Sequence, residues 1–196
     1  MDNLRPLSII HYPLSIIHYP LKKMASALKN LSHYDDTNIP SAKDMSFGIV
    51  VSDWNEHITH TLYAGCLETL KKHGADEDKI FIAQVPGTYE LPVGARLLAG
   101  QHPSVDAVIC LGCVIKGDTK HDEYINQSVA IALQNLALTS SKPVIFGVLT
   151  TNNEEQALDR AGGKHGNKGV EAAVTAIRMG ALKQDLMGRK KGKIGF

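Results

Sequence analysis

Net charge is almost absent from this chain. Its 21 lysines and arginines face 20 acidic residues, leaving +1, so no overall field draws it to nucleic acid or to a membrane surface. Cysteine is scarce and unpaired in pattern: Cys66, Cys110 and Cys113 form no CxxC with a partner cluster. Cys110 lies in an apolar run and Cys66 in a helical pattern, which points to buried thiols rather than metal ligands, and no metal site is expected. Cys113 comes with no dedicated base nearby, so a reactive thiol is not expected there. The odd cysteine count, with no recognisable export signal, places the chain in a reducing cytoplasm. Aromatic residues make up only 6%, with a single tryptophan, Trp54. No glycine-lysine-hydroxyl order follows a strand, which excludes a phosphate-cradling NTPase loop, and there is no dinucleotide fingerprint.

The two ends differ from the middle. Residues 7–13, Leu-Ser-Ile-Ile-His-Tyr-Pro, recur at once as residues 14–20. Two copies are too few for a solenoid, and each ends in a helix-stopping proline. The stretch is too short and too interrupted to span a bilayer, and it lacks the apolar core of a signal peptide. Lys22-Lys23 precedes Met24-Ala25-Ser26-Ala27, an ordinary protein start. Residues 1–45 are therefore expected to be an amino-terminal extension, with 1–23 upstream of the true start. Residues 46–187 would form one domain, and the basic run in 188–196 a solvated tail, since no aromatics interleave with its cations.

Between the ends the pattern alternates. Apolar runs at Phe47 to Ser52, Ile80 to Val85, Val105 to Val114 and Val144 to Thr150 read as strands. Between and after them come helical patterns at Glu56 to His73, Glu90 to Ala99, Asp122 to Leu138, Glu154 to Ala161 and Val170 to Leu186. Strands separated by helices imply right-handed crossovers and parallel pairing. The expected fold is a three-layer αβα sandwich on a four-stranded parallel sheet, flavodoxin-like in class.

Ligands in such sheets bind beyond the carboxyl ends of the strands. The first strand is followed there by Asp53-Trp54-Asn55-Glu56 and the second by Pro86-Gly87-Thr88-Tyr89-Glu90. The third leads into Gly112-Cys113-Val114-Ile115-Lys116-Gly117-Asp118-Thr119-Lys120-His121, and the fourth into Thr150-Thr151-Asn152-Asn153. All four clusters must converge on one rim. Glycine turns let backbone approach a ligand and offer N–H groups to an anion, and a histidine there can move protons near neutral pH. Further on, Arg160-Ala161-Gly162-Gly163-Lys164-His165-Gly166-Asn167-Lys168-Gly169 joins two helices and reads as an anion-binding connection or as a flexible turn.

These motifs together resemble lumazine synthase, the 6,7-dimethyl-8-ribityllumazine synthase family of riboflavin synthesis. Trp54-Asn55, Val85 to Pro92, Gly112 to Tyr124, Pro143 to Thr150 and Glu155 to Gly169 carry the likeness, in order, over about Ser46 to Leu186. The resemblance implies a transferase that condenses 5-amino-6-(D-ribitylamino)uracil with 3,4-dihydroxy-2-butanone 4-phosphate, the penultimate step, without metal or organic cofactor. It implies that Trp54 stacks on the pyrimidine beside Asn55, and that Thr88, Tyr89 and Glu90 hold the ribityl chain. Backbone groups of Cys113, Val114 and Ile115 would read the pyrimidine edge. Gly117, Asp118, Thr119 and Arg160 would bind phosphate, and His121 would be the general acid/base.

The resemblance further implies pentamers, with Phe146, Arg160 and Lys168 reaching in from the adjacent chain. Some relatives assemble twelve pentamers into an icosahedral shell; the connection at 162–169 lacks the insertion common in purely pentameric members and leans towards the shell. Riboflavin synthase is the candidate partner, and neither nucleic acid nor membrane is expected. Lys116 stands where the family usually has arginine, which keeps the charge. A flavodoxin-like flavin binder, a non-catalytic lumazine binder and a purely structural shell protein compete. The first would need a phosphate loop after the first strand; a binder needs neither His121 nor Arg160, and a shell protein would not require Trp54 and His121 on the same rim.

Overall fold

A computed structural model describes residues 34 and 36–187 of the chain; the expected extension up to residue 33 and the basic tail from 188 lie outside the described residues. Four strands form one sheet: β1 (Phe47–Ser52), β2 (Ile80–Val85), β3 (Ala107–Ile115) and β4 (Val144–Thr151). All neighbours pair in parallel, in the order β2-β1-β3-β4. The central strands β1 and β3 are buried almost throughout, as continuous apolar runs covered on both faces must be, whereas the edge strands β2 and β4 include exposed positions.

The helices divide between the faces according to strand parity. Helix α1 (Glu56–Lys72) places Ile58, Leu62, Cys66 and Leu70 four residues apart, a single stripe. That stripe packs with Phe47, Ile49 and Val51 of β1 and Ile109 and Leu111 of β3, and helix α5 (Lys168–Leu186) completes this layer with Ala172, Ala173, Ala176 and Ile177. The opposite parity of the strands, Val50, Val108, Cys110 and Val148, meets α2 (Leu91–Gln101) and α3 (His121–Ser140) through Leu91, Ala95, Leu98, Val129 and Leu133. The result is the expected three-layer, flavodoxin-like arrangement. The described residues contain no helix long and apolar enough to cross a membrane.

Boundaries moved where side chains intervened. The third strand starts at Ala107 rather than Val105, because Asp106 makes a corner: its N–H reaches the Ser46 carbonyl at 2.7 Å while its carboxylate accepts from the Ser46 N–H at 2.9 Å. Gly100 does not end α2, which continues to Gln101, and a 3-10 turn over Thr88–Glu90 precedes it. Gly74 does stop α1, at φ 93°, a backbone conformation that favours glycine. The connection read as an anion loop or flexible turn is neither a bare loop nor long. It contains a small antiparallel hairpin, β5 (Ala161–Gly163) with β6 (Gly166–Asn167), after the short helix α4 (Glu154–Asp159).

Helices α1 and α5 approach closely because small residues line their contact. A Cβ on Gly65 would lie 2.7 Å from the Asn167 side-chain nitrogen, and one on Gly169 would overlap the Leu62 backbone carbonyl. Asn167 closes this contact: its amide donates to the Thr61 carbonyl at 3.0 Å and its oxygen accepts from the Gly169 N–H at 2.8 Å, capping α5. Gly169→Ala should therefore destabilise the fold by about 2–4 kcal/mol, since rigid backbone has to yield. Chemical denaturation of the two proteins tests this, and an unchanged midpoint would refute the packing account.

Candidate active site

Chain order makes the site. From β1 the chain moves outward to β2, then returns past β1 to β3 and on to β4. The loops after β1 and β3 thus leave in opposite directions, opening a crevice between them. Pairing of β1 with β3 ends at Val51 and Leu111, but β3 continues to Ile115 beside β4 alone. Peptide groups alternate along a strand. Lys116 donates to the Thr151 carbonyl at 2.8 Å, so the even-numbered residues here address β4. Those of Cys113 and Ile115 turn the other way, towards the crevice.

Two side chains meet that open edge. The Asn55 amide donates to the Cys113 carbonyl at 3.2 Å, and the Thr88 hydroxyl donates to the same oxygen at 3.4 Å. Asn55 sits at φ 62°, ψ 45°, left-handed backbone that asparagine tolerates better than most residues. Its carbonyl accepts from Ile58 and Thr59 to begin α1, and its side chain is left to face β3. The loop after β1 stays tied to that after β2, through Asp53 N–H to Val85 O at 2.9 Å and Trp54 N–H to Pro86 O at 3.0 Å. Gly112 lies beneath Thr88, where a Cβ would come within 2.7 Å of its hydroxyl.

The crevice opens into a cleft of about 840 Å³. Of the expected site residues, Trp54, Asn55, Thr88, Tyr89, Glu90, Cys113, Val114, Ile115, Gly117, Thr119 and His121 all line it. His121 is the first residue of α3, its N–H 3.4 Å from the Thr119 hydroxyl, and the helix start favours negative charge beside it. Trp54 is 72% exposed and Tyr89 60%, so the aromatic rim stands open in a single chain. The wall also contains Asp122, Tyr124 and Ile125, which were not anticipated. Their signal was available: 121, 124 and 125 share one helical face.

Four expected residues stand elsewhere. Asp118 is not part of the wall, although Gly117 and Thr119 on either side are. Phe146 lies on the edge strand β4, 36% exposed, and Arg160 and Lys168 flank the hairpin beyond it. Arg160 pairs with Glu171 at 2.8 Å, Lys168 with the same carboxylate at 3.2 Å, and Lys164 with Asp159 at 2.8 Å. The cations of this connection thus carry carboxylate partners, which the anion-loop reading of the bare sequence did not foresee. The Asp159 hydrogen bond and charge push the Lys164 ammonium pKa up. Among the described residues no group of three or more His, Cys, Asp or Glu side chains is arranged to hold a metal ion.

A cleft with aromatic rings, carboxylates, an imidazole and open strand-edge peptide groups suits a flat heterocycle bearing a polyhydroxyl chain. A family profile described as 6,7-dimethyl-8-ribityllumazine synthase matches residues 44–184. The chain belongs to this family. Proteins named 6,7-dimethyl-8-ribityllumazine synthase are similar over nearly their whole length. One from Cytophaga hutchinsonii is 56% identical over 80% of this chain and 97% of its own. One from Porphyromonas gingivalis is 51% identical, covering 82% and 99%, and one from Flavobacterium psychrophilum is 49% identical, covering 88% of each. Membership in the lumazine synthase family makes the chain an enzyme of lumazine synthesis, and the cleft is its candidate active site.

Cys113 lines this cleft as a buried thiol. Burial first, and the Glu154 charge second, push its thiol pKa up to about 11; burial alone takes Cys110 to about 12 and Cys66 higher still. All three favour the neutral thiol in the folded state, so their contribution is present below the ordinary thiol value. It is lost as pH rises through the folded values. Native protein at pH 8 should therefore react with a thiol reagent far more slowly than the same protein in denaturant, and its melting temperature should fall above about pH 9. One thiol titrating rapidly in the native protein would assign Cys113 a different role.

Proposed function

We propose that the enzyme is a transferase condensing 5-amino-6-(D-ribitylamino)uracil with 3,4-dihydroxy-2-butanone 4-phosphate. It releases 6,7-dimethyl-8-ribityllumazine, phosphate and water, at the penultimate step of riboflavin synthesis, in the cytoplasm and without a metal or organic cofactor. The observation that carries this reading is the convergence of Trp54, Glu90, the Cys113–Ile115 edge and His121 on one cleft at the topological switch.

Trp54 stacks on the pyrimidine, a planar apolar contact. The peptide groups of Cys113 and Ile115 on the crevice side meet the polar edge of the ring, with Asn55 and Thr88 holding the strand end in place through the Cys113 carbonyl. Glu90, whose carboxylate lies against Gly87, accepts from ribityl hydroxyls with Thr88 and Tyr89 nearby. Gly117, Asp118 and Thr119 border the phosphate, with Arg160 supplying a planar fork of N–H donors.

The pyrimidine amine attacks the ketone, and water leaves as the imine forms. Phosphate then leaves by elimination, the enol left behind tautomerises to a ketone, and the second amine adds to it with loss of a second water, closing the ring. Each step moves a proton, and His121, placed at the cleft by the start of α3, serves them in turn. Amine and ketone are already reactive, so holding them in register supplies much of the acceleration.

The site is completed in a pentamer, where Phe146, Arg160 and Lys168 of one chain serve the cleft of the next. Their position outside their own cleft supports this, as do the exposed apolar residues Val93 and Leu97 on one face of α2 and Ile82 on the edge strand β2. The connection at 162–169 lacks the insertion common in purely pentameric members of the family, which favours further assembly of twelve pentamers into a shell, with riboflavin synthase as its candidate partner.

Anaerobic mixing of both substrates, followed by lumazine absorbance, tests the reading. Wild type should exceed the enzyme-free rate by orders of magnitude. His121→Ala should lose about a hundredfold in kcat yet stay above background, because orientation survives. Arg160→Ala should raise KM for the butanone phosphate about tenfold or more. Assembled wild-type protein without acceleration would make this chain a ligand binder instead.

A further inference from the structure

Arg160 and Lys168 share one carboxylate. Glu171 places Oε1 2.8 Å from a guanidinium nitrogen of Arg160 and Oε2 3.2 Å from the Lys168 ammonium. The three side chains are only 17%, 29% and 20% exposed, so this is a sheltered cluster rather than a solvated surface pair. Arg160 caps the end of α4, Lys168 opens α5, and Glu171 lies in the first turn of α5. The hairpin between them is closed by Lys168 N–H to Arg160 O at 2.9 Å, and the Arg160 guanidinium also donates to the His165 carbonyl at 3.2 Å.

Two cations this near each other repel, and flexible side chains would separate them. A carboxylate between them removes the repulsion and sets their spacing, while the start of α5 favours its negative charge. The cluster keeps a net charge of +1. A guanidinium has five N–H donors, and two contacts leave others for an incoming anion.

We propose that Glu171 is a positioning residue for the reaction: it fixes Arg160 and Lys168 as one preset cationic unit, so that the guanidinium meets the substrate phosphate already oriented. This rests on the reading of Arg160 as the phosphate anchor. Glu171 itself touches no substrate. Its removal acts through Arg160, and the effect falls on capture of the phosphate-bearing substrate rather than on turnover at saturation.

The test is a double-mutant cycle of Glu171→Gln and Arg160→Ala in the full assembled protein, with size and melting temperature measured for each variant. Glu171→Gln should raise KM for the butanone phosphate about tenfold, the size of one close, sheltered charge pair, with kcat within about twofold. In the Arg160→Ala background the same change should add nothing. An unchanged KM in Glu171→Gln, beside a raised one in Arg160→Ala, overturns the positioning role and leaves the phosphate anchor standing. Effects that multiply in the double variant also overturn it, because they would be independent. An unaltered KM in Arg160→Ala removes the anchor and this proposal with it. If Glu171→Gln fails to assemble, Glu171→Asp keeps the charge with a shorter reach. Its intermediate rise should vanish in the Arg160→Ala background, and persistence there counts against the proposal.

Discussion

The site depends on one unequal strand pairing. β1 stops pairing at Val51 while its neighbour β3 runs on to Ile115, so a strand end keeps peptide groups with no sheet partner on one side. Buried backbone carbonyls need donors. Asn55 and Thr88 supply them to Cys113, and in doing so they bring the loops after β1 and β2 against the end of β3. Asn55 gives up a helix-capping role and adopts left-handed backbone to make that contact. Local strain is tolerated where surrounding structure determines it, and here it sits at the centre of the cleft.

The same rim is what the proposed assembly would complete. Trp54 and Tyr89 are largely exposed, and the cations suited to phosphate lie across the sheet edge, bound to Glu171. Catalysis by orientation needs both reactants held at once. In the proposed assembly a neighbouring chain supplies the face that the cleft of a single chain leaves open. That proposed association would bury exposed apolar residues and complete the site together.

Much of the fold was legible because its signals are local. Ile58, Leu62, Cys66 and Leu70 recur at the helical period, and the apolar runs of β1 and β3 have the length and continuity of strands covered on both faces. Polar clusters after the first three runs foretold the cleft, since parallel strands all end on one side; the cluster after β4, Thr150 to Asn153, does not line it. The corner at Asp106 was not legible, because it depends on Ser46, 60 residues away in sequence. Nor was the β5–β6 hairpin, whose glycine-rich segment looks like a loop until Asn167 ties it to Thr61 of α1. Tyr124 and Ile125 were readable in principle from their spacing to His121, but only the bend of the third loop turns that face of α3 towards the cleft.

By itself the sequence determined the alternation of strands and helices, the residue types available for chemistry and membership in the lumazine synthase family. Each follows from patterns within one segment or from several motifs in fixed order. Tertiary structure decided which groups meet: that the Cys113 carbonyl faces Asn55 and Thr88, that Cys113 is a buried neutral thiol, and that Arg160 and Lys168 share Glu171 outside their own cleft. Strand order and the point where pairing stops govern these contacts. Both are relations between distant segments, and no local period or composition encodes them.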